Sequence, residues 1–147
     1  MDNSNKYFNI VIAEDDEDDY LLIAETLQKV ETIGFIHWVK DGEELFKFLD
    51  DCDSSDESQG RKPNLIILDL NMPKKDGRET LYELKSHPQR KSIPVVILTT
   101  SQAESDISQA YQLGANSFIQ KPFKYSDFKL TMEVLQDYWI NIVKLPT

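Results

Sequence analysis

The sequence predicts an open, doubly wound α/β domain, in which helices cover both faces of a parallel sheet. Short apolar runs rich in β-branched residues alternate with segments whose apolar residues recur at helical spacing. Such alternation favours parallel strands joined by right-handed crossovers. The 147 residues suffice for one hydrophobic core and leave little room for a second. We therefore expect a single domain over residues 1–147, with its core at about 8–143.

Five strands and their intervening helices follow from this pattern. The predicted strands are Phe8–Ala13, Phe35–Val39, Leu65–Leu68, Val95–Leu98 and Ser117–Gln120. The first two helices are predicted from one apolar face made of Tyr20, Ile23, Ala24, Leu27 and Val30, and from a shorter stripe made of Leu45, Phe46 and Leu49. Later helices are expected at about Arg78–Ser86, Glu104–Leu113 and Asp127–Val143.

One segment departs from the alternation. Residues 50–62, DDCDSSDESQGRK, are polar, acidic and almost without apolar side chains. This composition predicts a mobile surface loop, inserted before the third strand.

The composition also limits the classes of partner. Lys and Arg number 16 against 26 Asp and Glu, which gives a formal net charge of -10. A surface of this charge repels phosphate backbones and anionic lipids, so we expect binding neither to nucleic acid nor to membranes. The single cysteine, Cys52, excludes an intrachain disulfide. Together with the lack of a secretory signal or an apolar run of membrane-spanning length, this predicts a cytoplasmic protein.

Polar side chains follow four of the predicted strands at their carboxyl ends. Glu14 and Asp15 come after the first strand, Asp69 after the third, Thr99 after the fourth and Lys121 after the fifth. Ligands of open α/β sheets bind at this edge, where the strand ends converge. Converging carboxylates repel one another unless a hard cation such as Mg²⁺ lies between them. A metal site is therefore expected here.

The same residues suggest a chemical role. Mg²⁺ keeps several of its waters, so the carboxylates of Asp15 and Asp69 and the main-chain carbonyl of Asn71 are enough protein ligands. Lys121 and the Thr99 hydroxyl would suit the oxygens of a phosphoryl group beside the metal. This combination predicts that Asp69 is an aspartyl-phosphate acceptor.

Each feature taken alone has a plainer explanation. Asp69 could cap the turn that Pro73 and Gly77 indicate. The acidic residues Asp16 to Asp19 are predicted to form a solvated helix start, because acids favour the positive end of the helix dipole. The prediction of a site therefore depends on the joint placement of its residues.

With these motifs in this order and spacing, the sequence resembles the receiver domain of two-component response regulators, from Phe8 onward. The resemblance implies the flavodoxin-like strand order 2-1-3-4-5. It also implies a signalling phosphoprotein of a phosphorelay, in which a sensor histidine kinase phosphorylates Asp69 with Mg²⁺ as cofactor. No enzymatic activity is expected beyond the domain's own phosphorylation and dephosphorylation. Glu14 would act mainly through metal-bound water, and Thr99 and Lys121 would hold the phosphoryl oxygens.

Further positions resemble the family. Phe118 lies where receivers have an aromatic switch, which together with Thr99 would change the surface of the fourth helix, fifth strand and last helix. The Lys121–Pro122 bond matches one that is cis in receivers. The insertion, the PKKDGRE loop and the ending YWINIVKLP resemble small stand-alone response regulators of bacterial phytochromes. Such a phytochrome is thus a candidate kinase.

The last predicted helix has two apolar rows. The first, predicted to face the sheet, is Phe128, Met132, Leu135, Trp139 and Ile142; the second is Leu130, Val134 and Tyr138. The second row either widens the face that packs on the core or forms a docking surface for an identical chain or a kinase. We favour a homodimer through this helix.

Three other functions fit parts of the pattern. A Mg²⁺-dependent phosphohydrolase with an aspartyl nucleophile would need a general acid two residues after Asp69, where the chain has Asn71. A nucleotide or flavin module would need phosphate donors after the first strand, where the chain has EDDEDD. A receiver that binds a partner without being phosphorylated is disfavoured by the full set of acids, Thr99 and Lys121.

Overall fold

The computed structural model describes residues 7–54 and 62–146. Its strands are β1 (Phe8–Ala13), β2 (Ile33–Val39), β3 (Leu65–Leu68), β4 (Val95–Thr99) and β5 (Ser117–Gln120). They form one parallel sheet in the order β2-β1-β3-β4-β5, which confirms the expected order 2-1-3-4-5.

The helices of the described residues alternate with the strands. They are α1 (Glu17–Gln28), α2 (Gly42–Ser54), α3 (Gly77–Ser86), α4 (Glu104–Gln112) and α5 (Tyr125–Gln136), which continues into a π-helical segment at Asp137–Ile142. Helix α1 begins after Asp16, whose side chain accepts a hydrogen bond from the Asp19 N–H. Asp76 caps α3 in the same way through the N–H groups of Arg78 and Glu79.

The sheet separates two apolar layers, because successive side chains of a strand point to opposite faces. In β1, Ile10 and Ile12 pack with α1 and α5, whereas Val11 and Ala13 pack with α2 and α3. Strands β3 and β4 alternate in the same manner. The central strands are therefore buried on both faces, and they hold their carboxyl ends in fixed positions.

The prediction of a loop over residues 50–62 was wrong at its start. Helix α2 continues to Ser54, because Cys52 is buried together with Leu49 and extends the apolar face of the helix. The carboxylates of Asp50 and Asp53 lie 2.8 and 2.7 Å from the Arg90 guanidinium. Residues 55–61, the larger part of the predicted loop, lie outside the described residues.

The last helix also differs from its prediction. After Gln136 the winding widens, and the Val143 N–H donates to the carbonyl of Tyr138, five residues earlier. The wider turn moves the buried face: Trp139 stays buried, but Ile142 is exposed, and Val143 packs against the core in its place. The second row, Leu130, Val134 and Tyr138, is exposed, so it does not widen the core-facing stripe.

No helix in the described part of the chain is long and apolar enough to cross a membrane.

Candidate functional site

Main-chain hydrogen bonds align the carboxyl ends of the strands. The Asp69 N–H donates to the carbonyl of Ala13 at 3.0 Å, which holds the end of β3 beside the end of β1. On the other side, the Lys121 N–H donates to the Thr99 carbonyl at 2.7 Å. The parallel ladder thus brings together side chains that are far apart in sequence.

Three predicted acids form a compact cluster at this edge. Ligand oxygens of Glu14, Asp15 and Asp69 all lie within 4.8 Å of one another. Glu14 and Asp69 are buried, and Asp15 is exposed. Hard divalent cations prefer such carboxylate oxygens, and an exposed side leaves room for the waters that they keep. The donor set therefore fits a divalent metal.

Lys121 balances part of this negative charge. Its ammonium lies 2.6 Å from Glu14 Oε1, 3.0 Å from Asp69 Oδ2 and 2.9 Å from Asp19 Oδ2. The side chain is only 4% exposed. An ammonium has three protons, so these three carboxylates can occupy all of its donors.

The burial of these opposite charges shifts the pKa values of Glu14 and Lys121. Burial and, next in size, repulsion from Asp69 together raise the pKa of Glu14 to about 8, although the hydrogen bond from Lys121 opposes them. Burial alone would lower the pKa of Lys121, but the negative charges of Asp69 and Glu14 outweigh it and raise this pKa above its ordinary value. Lys121 is therefore a permanent cation. The Glu14 carboxyl, in contrast, holds a proton near neutral pH when no metal is bound.

Thr99 is fully buried at the end of β4. Among the described residues its hydroxyl has no hydrogen-bond partner. A buried hydroxyl without a partner is unfavourable unless another group supplies an acceptor. Phe118, on the neighbouring strand, is half-buried against the same apolar layer as α4, and its N–H donates to the Tyr111 hydroxyl at 3.0 Å.

The loop after β3 lies close against Asp69. The Asn71 N–H donates to Asp69 Oδ1 at 3.1 Å, which orients the carboxylate, and the Asn71 side chain is exposed. Gly77 begins α3 so near that a Cβ atom there would lie 2.3 Å from the Asp69 carbonyl oxygen. A glycine is therefore required for this approach, in agreement with the predicted turn.

Two contacts of the site were missed by reasoning from the sequence. Asp19 was assigned to a solvated helix start, but its carboxylate pairs with Lys121 and is about 30% exposed. Trp38 donates from its indole N–H to the Glu14 carbonyl at 2.7 Å and stacks on Tyr20. An acid on the first turn of a helix that follows a site strand could have indicated the first contact; no sequence signal indicates the second.

The peptide bond between Lys121 and Pro122 is trans, so the expectation of a cis bond was wrong. The two forms of such a bond differ by only about 0.5–1 kcal/mol, so local sequence decides little between them.

A family model of the response regulator receiver domain matches residues 10–133. The chain belongs to the response regulator receiver family. This match covers every residue of the cluster described above, from Glu14 to Lys121. The fold and the phosphoacceptor signalling expected of a receiver therefore apply to this chain.

Individual relatives agree with the family assignment. Response regulator Rcp1 of Synechocystis sp. is 39% identical over 146 residues, which cover 99% of this chain and 97% of Rcp1. The crystal structure of the phosphorylated cyanobacterial phytochrome response regulator RcpA has a TM-score of 0.88 and 37% identity, with 96% and 99% of the chains covered. The Mn²⁺-bound form of Rcp1 has a TM-score of 0.87 and 36% identity, with 95% and 99% covered.

Proposed function

We propose that Asp69 of this receiver accepts a phosphoryl group from a sensor histidine kinase in a Mg²⁺-dependent reaction. The observation that carries the proposal is the buried contact between the Asp69 carboxylate and the Lys121 ammonium, beside Glu14 and Asp15. A carboxylate held between a fixed cation and a metal-binding acid cluster is suited to attack a phosphorus atom.

In the proposed step, an Asp69 oxygen forms a bond to phosphorus as the bond between phosphorus and the donor's imidazole nitrogen breaks. The imidazole takes up a proton, and no other co-reactant is needed. Lys121 is already within hydrogen-bond distance of the acceptor and would bind a phosphoryl oxygen. The buried Thr99 hydroxyl would gain an acceptor that it lacks among the described residues.

Asp15, Asp69 and the main-chain carbonyl of Asn71 are the proposed ligands of Mg²⁺, with Glu14 acting mainly through a metal-bound water. When bound, the cation would offset the charge of the carboxylates and the incoming phosphoryl group. The acid cluster supports a divalent ion, and the related Rcp1 has a Mn²⁺-bound form. Mg²⁺ is the proposed physiological ion because it prefers carboxylate oxygens and retained waters.

Output would begin at Thr99. If this side chain moves toward the phosphoryl group, it leaves space beside β4, and Phe118 can turn inward to fill it. The surface made by α4, β5 and α5 would then change. The half-buried position of Phe118 supports such a two-state element.

A bacterial phytochrome is the proposed kinase, since the relative RcpA is a phytochrome response regulator. The cytoplasm is the proposed compartment, in keeping with the single, buried cysteine. The net charge of -10 disfavours nucleic acid as a partner. We propose no further enzymatic activity, because Asn71 stands where a phosphohydrolase would need an acid.

The acceptor is tested by incubation with a small phosphodonor and Mg²⁺, followed by intact mass measurement. Wild type should gain one phosphoryl group, and Asp69→Asn should gain none. Asp51→Asn, an equal change of charge at an exposed position on α2, serves as the matched control and should be phosphorylated like wild type. Full labelling of Asp69→Asn, or labelling that a chelator does not reduce, would refute the assignment.

We also propose a homodimer through α5. Leu130, Val134 and Tyr138 are 59%, 62% and 50% exposed and form one row along the helix. An apolar row of this kind is unfavourable in water, and two copies related by a two-fold axis can cover it mutually. Phosphorylation would modulate the dimer through the neighbouring β5 and α4.

Sedimentation of wild type and of a double variant, Val134→Glu with Tyr138→Glu, tests the dimer with and without phosphodonor. The double variant should remain monomeric. Tyr82→Glu, on α3 at the opposite face, removes a side chain that is 62% exposed and should dimerise like wild type. Wild type that stays monomeric at high concentration in both states would rule out the dimer.

A further inference from the structure

Asp19 is the only one of the three carboxylates around Lys121 that has no role in the proposed chemistry. Glu14 and Asp69 belong to the acid cluster, whereas Asp19 lies outside it, on the first turn of α1. Its carboxylate is nevertheless 2.9 Å from the Lys121 ammonium, across 102 residues of sequence. A buried lysine has thus been given a third acidic partner in addition to the two that the cluster supplies.

The main chain of Asp19 is held by the helix cap, and its side chain lies at the edge of the site. Its main-chain N–H donates to the Asp16 side chain at 3.0 Å, so the residue belongs to the helix cap. Its side chain is about 30% exposed, whereas Lys121 is 4% exposed. Asp19 therefore lies at the rim of the site and holds an ammonium whose remaining contacts are inside.

The three contacts compete for one group. Since an ammonium has three donors, a phosphoryl oxygen can take over the donor that now contacts Asp69, but a second hydrogen bond from Lys121 to the phosphoryl group requires Glu14 or Asp19 to give way. Phosphorylation converts Asp69 itself, and Glu14 has no other cation in contact with it among the described residues. Asp19 is the partner that can turn to water at low cost, because it is partly exposed.

We infer that Asp19 is a positioning residue that shares the Lys121 ammonium with Glu14 and Asp69 in the resting state and competes with the phosphoryl group for it. This inference rests on the proposed phosphoacceptor role of Asp69 and deepens it. Two consequences of opposite sign follow. With Asp19 present, Lys121 interferes less with a cation on Glu14 and Asp69; it is also less available to an anion on Asp69.

The variant Asp19→Asn separates the two consequences. Without this carboxylate, Lys121 should bind Glu14 and Asp69 more strongly, which weakens Mg²⁺ binding. It should also be free to bind an anion, so beryllofluoride, a non-covalent analogue of the phosphoryl group, should bind about three- to tenfold more tightly at saturating Mg²⁺. Calorimetric titration measures both affinities. If Asp19→Asn only disrupted the structure of the site, the affinities for Mg²⁺ and for beryllofluoride would both decrease.

Two further variants control for charge and shape. Asp18→Asn removes the same charge from an exposed neighbour that is not among the contacts of Lys121, so it should change both affinities far less. Asp19→Glu restores a carboxylate and should return both affinities toward wild type. Beryllofluoride affinity of Asp19→Asn equal to or below that of Asp18→Asn would overturn the inference. Failure of wild type to bind beryllofluoride with saturating Mg²⁺ would instead refute the acceptor function, and the inference with it.

Discussion

The two ends of the sheet both contain buried polar side chains, but these are satisfied in different ways. At the amino end, Asn9 is 7% exposed. Its side-chain oxygen accepts a hydrogen bond from the Phe35 N–H at 3.1 Å, and its side-chain NH₂ group donates to the Lys62 main-chain carbonyl at 3.3 Å. At the carboxyl end, Glu14 and Asp69 are 2% and 6% exposed and share the ammonium of Lys121.

This difference indicates which end can bind a ligand. A neutral amide that is hydrogen-bonded to main-chain groups has its needs met within the fold. The two buried carboxylates at the carboxyl end share one ammonium, so their charge is not fully neutralised within the fold. This is unfavourable, because unpaired buried charge lowers stability. The carboxyl end therefore gains from a metal ion, and the amino end gains nothing comparable.

Replacing Lys121 should have the largest effect on stability. In Lys121→Met, Glu14 and Asp69 lose their buried cation, which should lower the free energy of unfolding by about 3–5 kcal/mol without metal. Mg²⁺ should recover part of this loss by taking over the charge. Urea denaturation with and without Mg²⁺ measures both effects, with Lys47→Met on the exposed face of α2 as the control. Equal stability of the two variants would remove the distinction between the ends.

Glu14 should give the carboxyl end a characteristic pH dependence. An unfolded carboxyl titrates near 4.5, but burial raises the pKa of folded Glu14 to about 8. The folded state thus binds the extra proton in this interval, so its stability is full below pH 4.5 and is lost as the pH rises toward 8. Metal-free wild type should lose up to about 1.4 kcal/mol per pH unit relative to Glu14→Gln. Urea denaturation at a series of pH values measures the free energy of unfolding of both proteins. If the two free energies change with pH in the same way, the titration of Glu14 is not the cause.

Asn9 tests the opposite end with a smaller expected effect. Asn9→Ala leaves the Phe35 N–H and the Lys62 carbonyl without these partners, which should cost about 1–3 kcal/mol. Because the amide is far from the acid cluster, the loss should be the same with and without Mg²⁺. A loss that Mg²⁺ reverses would show that the two ends are coupled.

Arg90 should matter least, although it also pairs with two carboxylates. Its partners Asp50 and Asp53 have side chains that are 70% and 37% exposed, so water can solvate them when the guanidinium is removed. Arg90→Met keeps an apolar stem and should cost about 1 kcal/mol or less, with a difference that shrinks at high salt. A cost as large as that of Lys121→Met in the same denaturation series would mean that burial of the partners is not decisive.

Much of the fold could be predicted from the pattern of the sequence. Strands β1 and β3 have the predicted bounds, because a buried strand needs a continuous apolar run that ends where solvent begins. The edge strand β5 also has the predicted bounds, although its residues are only half-buried or exposed. The end of α2 was missed because Cys52 is a single apolar residue in an acidic segment, and only its burial beside Leu49 shows that the helix continues. The π-helical turn was missed because helical spacing was extended through Ile142 at a constant period.

The sequence by itself determined which residues stand at the carboxyl ends of the strands, since Asp69 and Thr99 each follow an apolar run and Lys121 follows the short strand SFIQ. It could not determine how their charges are shared. That Lys121 contacts Asp19 as well as Glu14 depends on the packing of α1 beside the sheet, which joins positions 102 residues apart. Local patterns record which side of an element is buried; distances between elements, and hence electrostatic energies, arise only when the elements pack.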